Sequence, residues 1–144
     1  MKLLLTLTVL ASAAVLLTAA DASGVTYVGH EKVAAALAKG GPLVTGTNHL
    51  VSGSHREKGG KVEVHERETD IMYVTDGEAT FVTGGTAVGA KATKPGQMIG
   101  SDISGGETHH LTKGDVIVIP AGTPHWFKEV PKTVSYFVVK VLKQ

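Results

Sequence analysis

A histidine near the end of the chain follows a closely spaced group of turn-forming residues. Gly114 is followed after five residues by Pro120, after one more by Gly122 and after a further two by His125. The apolar residues 116–119 predict a buried strand, which Pro120 ends because proline cannot donate to a strand ladder. Gly122 permits a tight reversal of the chain. An imidazole held between two rigid elements in this way suits a metal ligand, although a β-turn with an ordinary half-buried histidine has the same pattern.

A second group of residues with metal-binding side chains lies earlier in the chain. Glu63 and His65 are two residues apart, so on a strand their side chains point to the same face. Asp70 begins the next predicted strand, seven residues before the turn glycine Gly77. Together with His125, these residues place two imidazoles and one or two carboxylates within reach of one interior point. Imidazole and carboxylate groups are ligands for divalent transition metals.

The two segments resemble the two sequence motifs of the cupin superfamily. The second cupin motif is a glycine, five residues, Pro-x-Gly, two residues, a histidine, three residues and an asparagine. The chain matches this motif from Gly114 to His125 and has Glu129 in place of the asparagine. The resemblance covers residues from about 44 to 142. It implies an all-β fold, a cupin jelly-roll β-barrel with a short N-terminal helix, that holds one metal ion and forms a homodimer.

The first cupin motif is His-x-His, three or four residues, a glutamate, six residues and a glycine. With Gly77 as the anchor, Asp70 takes the glutamate position, His65 takes the second histidine position and Glu63 stands where the first histidine should be. An alternative alignment with one gap makes His65 the first histidine and Arg67 the second. That alignment removes a ligand, because a guanidinium cation cannot coordinate a metal.

The resemblance therefore implies a metal site formed by His65, His125 and Glu63, with Asp70 as a fourth ligand or as a hydrogen-bond acceptor beside the ligands. The chain has no cysteine, which excludes a thiolate site. Two imidazoles and a carboxylate suit iron, copper, manganese or zinc, and the affinity order favours copper when metals compete. We expect one divalent transition metal ion per chain, with copper favoured and iron or manganese as alternatives. A cupin barrel that has lost its metal is the competing interpretation.

Short strands separated by turns must position these residues. The helical spacing over 30–39, followed by Gly40-Gly41 and Pro42, predicts a helix with a clear end. Beyond it the apolar period changes from 3.6 to 2, as in an all-β sandwich or barrel. The predicted strands are 49–55, 61–67, 71–75, 79–83, 116–119 and 134–142. Residues 84–110 contain seven glycines, and we interpret this segment either as a cover over the barrel mouth or as an exposed β-meander extension.

The N-terminal segment is typical of a secretory signal peptide. A lysine precedes an apolar run over residues 3–17, and no further charge occurs until Asp21. Small residues fit cleavage after Ala20 or Ala22. A retained membrane anchor is the alternative, for which the run is short. A secreted or periplasmic protein is therefore expected, and its domains are a signal peptide at 1–20, a lead-in with the helix at 23–41 and the barrel at 42–144.

The overall charge and motifs restrict the possible functions. A formal net charge of +1 gives no electrostatic reason to expect nucleic acid, or a membrane after signal cleavage, as a partner. The cupin resemblance implies first an exported oxidoreductase that uses O2 or peroxide. In its most specific form this is a copper enzyme that cleaves a polysaccharide such as cellulose. The alternatives are a non-catalytic cupin that binds a sugar or small metabolite, and a cupin isomerase or lyase with a carboxylate as general base.

Further residues carry weaker expectations. His49 and His55 share one face of a predicted strand, from which they could reach the metal site. Among the seven aromatic residues, Tyr27 and Trp126 are the two expected to be exposed.

Overall fold

A computed structural model of the chain describes residues 24–143, which form one helix and twelve strands. The predicted signal peptide lies outside the described residues. The predicted all-β class with one short helix is confirmed. The elements are α1 (His30–Lys39), β1 (Gly41–Thr45), β2 (His49–Arg56), β3 (Val62–His65), β4 (Glu68–Thr83), β5 (Thr86–Val88), β6 (Lys91–Lys94), β7 (Gln97–Gly100), β8 (Asp102–Ser104), β9 (Glu107–Thr112), β10 (Val116–Ile119), β11 (His125–Glu129) and β12 (Val134–Leu142).

The strands pair antiparallel and form the two sheets of a jelly roll. The first sheet has the order β1-β2-β12-β4-β10, and the second contains β9, β4, β11, β3, β7 and β6. Strand β4 belongs to both sheets, because its first half pairs with β12 and β10 and its second half pairs with β9 and β11. This long strand holds the two sheets together.

The prediction of two separate strands around Gly77 is wrong, because β4 continues through this residue. Gly77 has a φ of 76°, a conformation that glycine adopts without strain. A side chain there would collide with the carbonyl oxygen of Thr133. Pairing with β12 nevertheless extends up to this residue, with Val134 opposite Gly77, and pairing with β9 begins at Glu78. The glycine therefore bends a continuous strand from one sheet to the other.

Inward-facing apolar side chains fill the space between the sheets. Phe81 is fully buried on β4 and meets Phe127 of β11 edge to face, with ring centroids 4.6 Å apart. Phe127 stacks in turn on Tyr136 of β12 at 5.0 Å. Met72 and Val74 from the first half of β4 complete this part of the core. The core therefore lies between the two sheets that carry the candidate site residues.

Helix α1 has the predicted bounds and packs on the outer face of the first sheet. Gly53 of β2 allows this close approach, because a Cβ atom there would lie 2.7 Å from the backbone of Ala36. The hydroxyl of Ser135 on β12 donates to the carbonyl oxygen of Leu37, near the C-terminal end of α1. Within residues 24–143, no helix reaches the length and hydropathy that a membrane span requires.

The glycine-rich segment 84–110 is mostly short strand rather than irregular chain. Strand β7 pairs with β3 and β9 pairs with β4, while β5 and β8 form a separate two-stranded sheet. Among the described residues, none from this segment lines the cavity that contains His65 and His125. Of the two interpretations, the β-meander extension therefore fits the structure. The sequence did not reveal these strands, because period-2 alternation can be recognised only where apolar residues alternate with polar ones. The small side chains of this segment give no such contrast.

Candidate metal centre

Neighbouring strands position the predicted ligands opposite one another. Glu63 and His65 lie at alternate positions of β3, and His125, the first residue of β11, pairs directly with Glu63. The turn before His125 is fixed to β3, because the backbone N–H of Gly122 donates to the carbonyl oxygen of His65 over 2.8 Å. Gly122 has a φ of 82°, which the reversal requires. The two motifs therefore meet through a backbone hydrogen bond as well as through their side chains.

The ligand atoms face a common cavity of about 170 Å³. The Nε2 atom of His65 lies 3.4 Å from Oε2 of Glu63 and 3.5 Å from Oδ2 of Asp70. The Nε2 atom of His125 lies 3.9 Å from the same Asp70 oxygen. Ligand bonds of about 2.1 Å in tetrahedral or octahedral geometry separate neighbouring donor atoms by about 3.0–3.4 Å. The ligand atoms of Glu63, His65 and His125 lie within 4.8 Å of one another, so the three residues offer a ligand group that could close around an ion.

The outer nitrogen of each histidine is hydrogen-bonded. The Nδ1–H of His125 donates to the carbonyl oxygen of Thr123 over 3.0 Å, and the Nδ1–H of His65 donates to the side-chain oxygen of Gln97. These bonds orient both rings and leave both Nε2 lone pairs facing the cavity, which is the usual arrangement around metal-binding histidines. The residues present therefore fit a divalent metal ion.

The sequence did not predict that Gln97 contacts His65. It belongs to the glycine-rich segment and meets His65 because β7 pairs with β3, with Gln97 directly opposite the histidine. A lone glutamine carries no signal of this role, and only the register between the two strands reveals it.

Two cations that the sequence analysis missed lie beside the carboxylates. Arg56 on β2 places Nη2 3.4 Å from Glu63, and its Nε–H donates to the hydroxyl oxygen of Tyr136 over 3.0 Å. Lys140 on β12 places Nζ 2.8 and 2.9 Å from the two oxygens of Asp70. Strand alternation is the signal that could have found both residues, since their side chains point into the barrel.

The expectation for His49 and His55 is wrong, because that face of β2 points out of the barrel. His49 contacts Asn48, and His55 contacts the hydroxyl of Ser135. The opposite face, which includes Arg56, lines the cavity. The period-2 pattern placed the two histidines together on one face, but it did not reveal which face is inward.

Three further residues bear on the expectations from the sequence. Arg67 is exposed in the turn after β3 and lines a different cavity, so the structure favours the alignment that uses Glu63. Trp126 is half-buried rather than exposed. Its indole N–H donates to the carbonyl oxygen of Gly60 over 2.7 Å, and the Lys128 ammonium lies over its ring. Tyr27 is exposed as predicted.

The charges and burial of the site set the protonation states of its three candidate ligands. When His65 is protonated, its Nε2–H donates to Glu63, and this hydrogen bond, together with the charge of Arg56, holds the pKa of Glu63 at about 2 despite its burial. Burial lowers the pKa of His125, which favours the neutral imidazole. Burial also acts to lower the pKa of His65, but the hydrogen bond to Glu63 and the charge of Asp70 outweigh it and raise that pKa.

We expect metal affinity to fall as the pH is lowered through the raised pKa of His65, because an imidazolium cannot coordinate an ion. Glu63 remains ionised and His125 neutral near that pH, so His65 sets the dependence. The dissociation constant for zinc should rise about tenfold per pH unit below that pKa and level off above it. Calorimetric titration between about pH 5 and 8 measures this. His49→Ala should leave the profile unchanged, and a pH-independent affinity would contradict the expectation.

The fold and sequence agree with known cupins. A family model described as Cupin matches residues 42–143. Solved structures with similar folds include one from Bacillus halodurans, with 17% identity, 72% of this chain and 69% of that chain covered and a TM-score of 0.53. A conserved protein of unknown function from Streptococcus pyogenes has 17% identity, 72% coverage of each chain and a TM-score of 0.50. A Klebsiella pneumoniae protein with a double-stranded beta-helix domain has 17% identity, covers 72% of this chain and 70% of that one, and has a TM-score of 0.50.

At these identities the structural likeness shows the fold alone. A search of curated proteins finds no significant match to the chain. The family model spans well over half of the sequence and includes both motifs, from Glu63 to His125. Together with the jelly roll and the position of its histidines, this match leads to one conclusion: the chain belongs to the cupin family.

Proposed function

We propose that the chain is an exported cupin that holds one divalent transition metal ion, copper favoured, and acts as an oxidoreductase with O2 or peroxide. One observation carries the metal site. Two buried imidazoles have their Nδ1 atoms hydrogen-bonded, and they offer ligand atoms within 4.8 Å of each other and of a carboxylate of low pKa, that of Glu63. Three such ligands leave positions open for an oxidant or substrate, and the bound metal would supply Lewis-acid and electron-transfer chemistry. Export rests on the N-terminal sequence.

The chain's own residues would orient and enclose what binds beside the metal. Arg56 is held by Tyr136 and by the face of Phe127, with its guanidinium carbon 4.6 Å from the ring centroid. It therefore presents a fixed cation next to Glu63. The cavity of about 170 Å³ is smaller than the roughly 300–1,000 Å³ of typical drug-sized ligand pockets. It suits a small molecule or one unit of a larger one, so a polysaccharide would present a single unit to the metal.

Elemental analysis tests the metal, and product analysis tests the reaction. Protein recovered from the periplasm or medium should contain about one copper, iron or manganese ion per chain. With copper and ascorbate it should consume O2 or peroxide and release oxidised fragments from cellulose or another polysaccharide. His125→Ala should show neither effect. Purified metal-free protein that binds none of these metals at sub-micromolar concentration would contradict the proposal.

A second candidate function is binding of a small polar or anionic metabolite without turnover. Besides Lys140, two cationic side chains line the cavity, Arg56 and Lys61, and Lys61 makes no ion pair among the described residues. This observation favours such a ligand. A binding protein should show ligand-dependent thermal stabilisation with no reaction. A screen of small sugars and carboxylates by thermal shift, followed by product analysis of each hit, distinguishes the two functions.

We also propose a homodimer that forms through the outer face of the first sheet. Five exposed apolar side chains lie together there, on strands that pair with one another. They are Ile71, Tyr73, Val116, Val118 and Val141. None of these five side chains is charged, so they cannot form ion pairs with a charged partner. A second copy offers the same apolar surface, and β10 lies at the end of the first sheet, where a two-fold axis would pair it with itself.

We expect Val118→Glu to convert the dimer to a monomer, because it would place two charges in an apolar contact. Val88→Glu is the matched control, since Val88 is similarly exposed but lies on the separate two-stranded sheet. Light scattering coupled to size-exclusion chromatography measures the mass of each variant. A monomeric wild-type protein, or a Val118→Glu variant that remains dimeric, would contradict this interface.

A further inference from the structure

A second group of possible metal ligands lies next to the first and already surrounds a cation. His65, Glu68 and Asp70 each offer a ligand atom, and these atoms lie within 4.8 Å of one another. The ammonium of Lys140 lies 2.8 and 2.9 Å from the two Asp70 oxygens and 3.0 Å from Glu68. Lys140 and Asp70 are direct partners in the pairing of β12 with β4. The sheet register therefore places the ammonium between the two carboxylates.

We propose that Lys140 is a resident cation that occupies a second cation-binding position formed by Glu68 and Asp70 beside His65. The ammonium limits the chain to one metal ion at Glu63, His65 and His125, and it keeps Asp70 out of that ion's ligand set. This inference rests on the proposed metal site and deepens it. Of the two roles that the sequence left open for Asp70, it selects the hydrogen-bond acceptor.

The contacts of Lys140 are complete. An ammonium has three N–H donors, and the structure gives Lys140 three close carboxylate oxygens. The Asp70 side chain is only 6% exposed, so its charge needs a neighbouring cation in place of water. An ion at this position would have to displace the ammonium from both carboxylates.

The shared histidine explains why a second ion would matter. His65 belongs to both ligand groups, so a second ion beside Glu68 and Asp70 would share this imidazole with the ion at Glu63 and His125. The covalently attached ammonium carries the needed positive charge without coordinating the imidazole. His65 therefore remains available to one metal ion.

Removal of the ammonium tests the inference. Lys140→Met keeps most of the side-chain length but removes the charge, and Lys61→Met is the matched control. Lys61 lines the same cavity and makes no ion pair among the described residues. Equilibrium dialysis against zinc, followed by elemental analysis, should give one zinc per chain for the wild type and for Lys61→Met. It should give two for Lys140→Met, and the double variant Lys140→Met/Asp70→Asn should return to one.

Thermal unfolding provides a second readout that is independent of activity. Metal-free Lys140→Met should unfold at a lower temperature than the wild type, because two carboxylates lose their counter-charge. Zinc should raise the unfolding temperature of Lys140→Met by more than it raises that of the wild type. The added Asp70→Asn change should raise the unfolding temperature of Lys140→Met without zinc. If Lys140→Met folds only when zinc is present, that result supports the inference directly. If it does not fold even with zinc while the double variant folds, an ion cannot replace the ammonium and the inference is overturned.

The zinc counts separate this inference from the proposed function. A wild type that binds no zinc, with a Lys140→Met variant that binds one through Asp70, would overturn the metal site at Glu63 and leave the role of Lys140 supported. One zinc in both proteins, with equal affinity, would overturn the role of Lys140 alone. No zinc in either protein would overturn both.

Discussion

His125→Ala is expected to weaken zinc or copper binding by at least about 100-fold. Loss of a hydrogen-bond partner behind a metal ligand costs about 10- to 100-fold in affinity, and loss of the ligand itself costs more. Without His125, only Glu63 and His65 remain of the three-ligand group. Neither nearby carboxylate can replace the imidazole easily, because Lys140 holds both Glu68 and Asp70.

Competition with a chelator of known affinity measures this loss. His109→Ala is the control, because His109 also lies on a strand but is half-buried, and its Nε2 contacts the hydroxyl of Thr83, outside the cavity. The control should bind metal as the wild type does. An unchanged affinity in His125→Ala would show that the ion, if bound, lies elsewhere.

Phe81→Ala is expected to lower the free energy of unfolding by about 3–5 kcal/mol, the usual cost when a fully buried aromatic side chain is removed. Phe81 lies in the half of β4 that pairs with β9 and β11, and its ring contacts Phe127. It is also adjacent to the metal centre, with its ring centroid 6.2 Å from that of His125. The variant should therefore lose some metal affinity together with its stability.

Urea unfolding of the metal-free protein measures the effect of Phe81→Ala without a contribution from bound ions. Phe137→Ala is the matched control, because Phe137 is only half-buried and lies at an outward position of β12. Its loss of stability should be clearly smaller. Equal losses in the two variants would contradict the assignment of Phe81 to the centre of the core.

Local sequence signals predicted the parts of the fold that depend on one segment. The helix at 30–39, the strand at 116–119 and the turn before His125 each carry their own stop and turn residues. The shared face of Glu63 and His65 follows from strand alternation alone. These features require no knowledge of which strands are neighbours.

Features that depend on strand register could not be predicted in the same way. The bend of β4 at Gly77 has the same residues as a hairpin turn, and the two are distinguished only by pairing with β12 up to Gly77 and with β9 from Glu78. The hydrogen bond from His65 to Gln97 and the ion pair of Lys140 with Asp70 join segments that lie far apart in the sequence. Each depends on a register that no single segment specifies.

The single tryptophan of the chain gives the metal centre an optical reporter. Trp126 follows His125 directly on β11, and its indole is fixed by a hydrogen bond to Gly60 and by the nearby Lys128 ammonium. Its fluorescence therefore originates beside the candidate ligand, with no other tryptophan to obscure it. Copper, which quenches nearby indole emission, and zinc, which does not, should produce different intensity changes upon binding. Titration of the unlabelled protein can then follow occupancy of the site in real time.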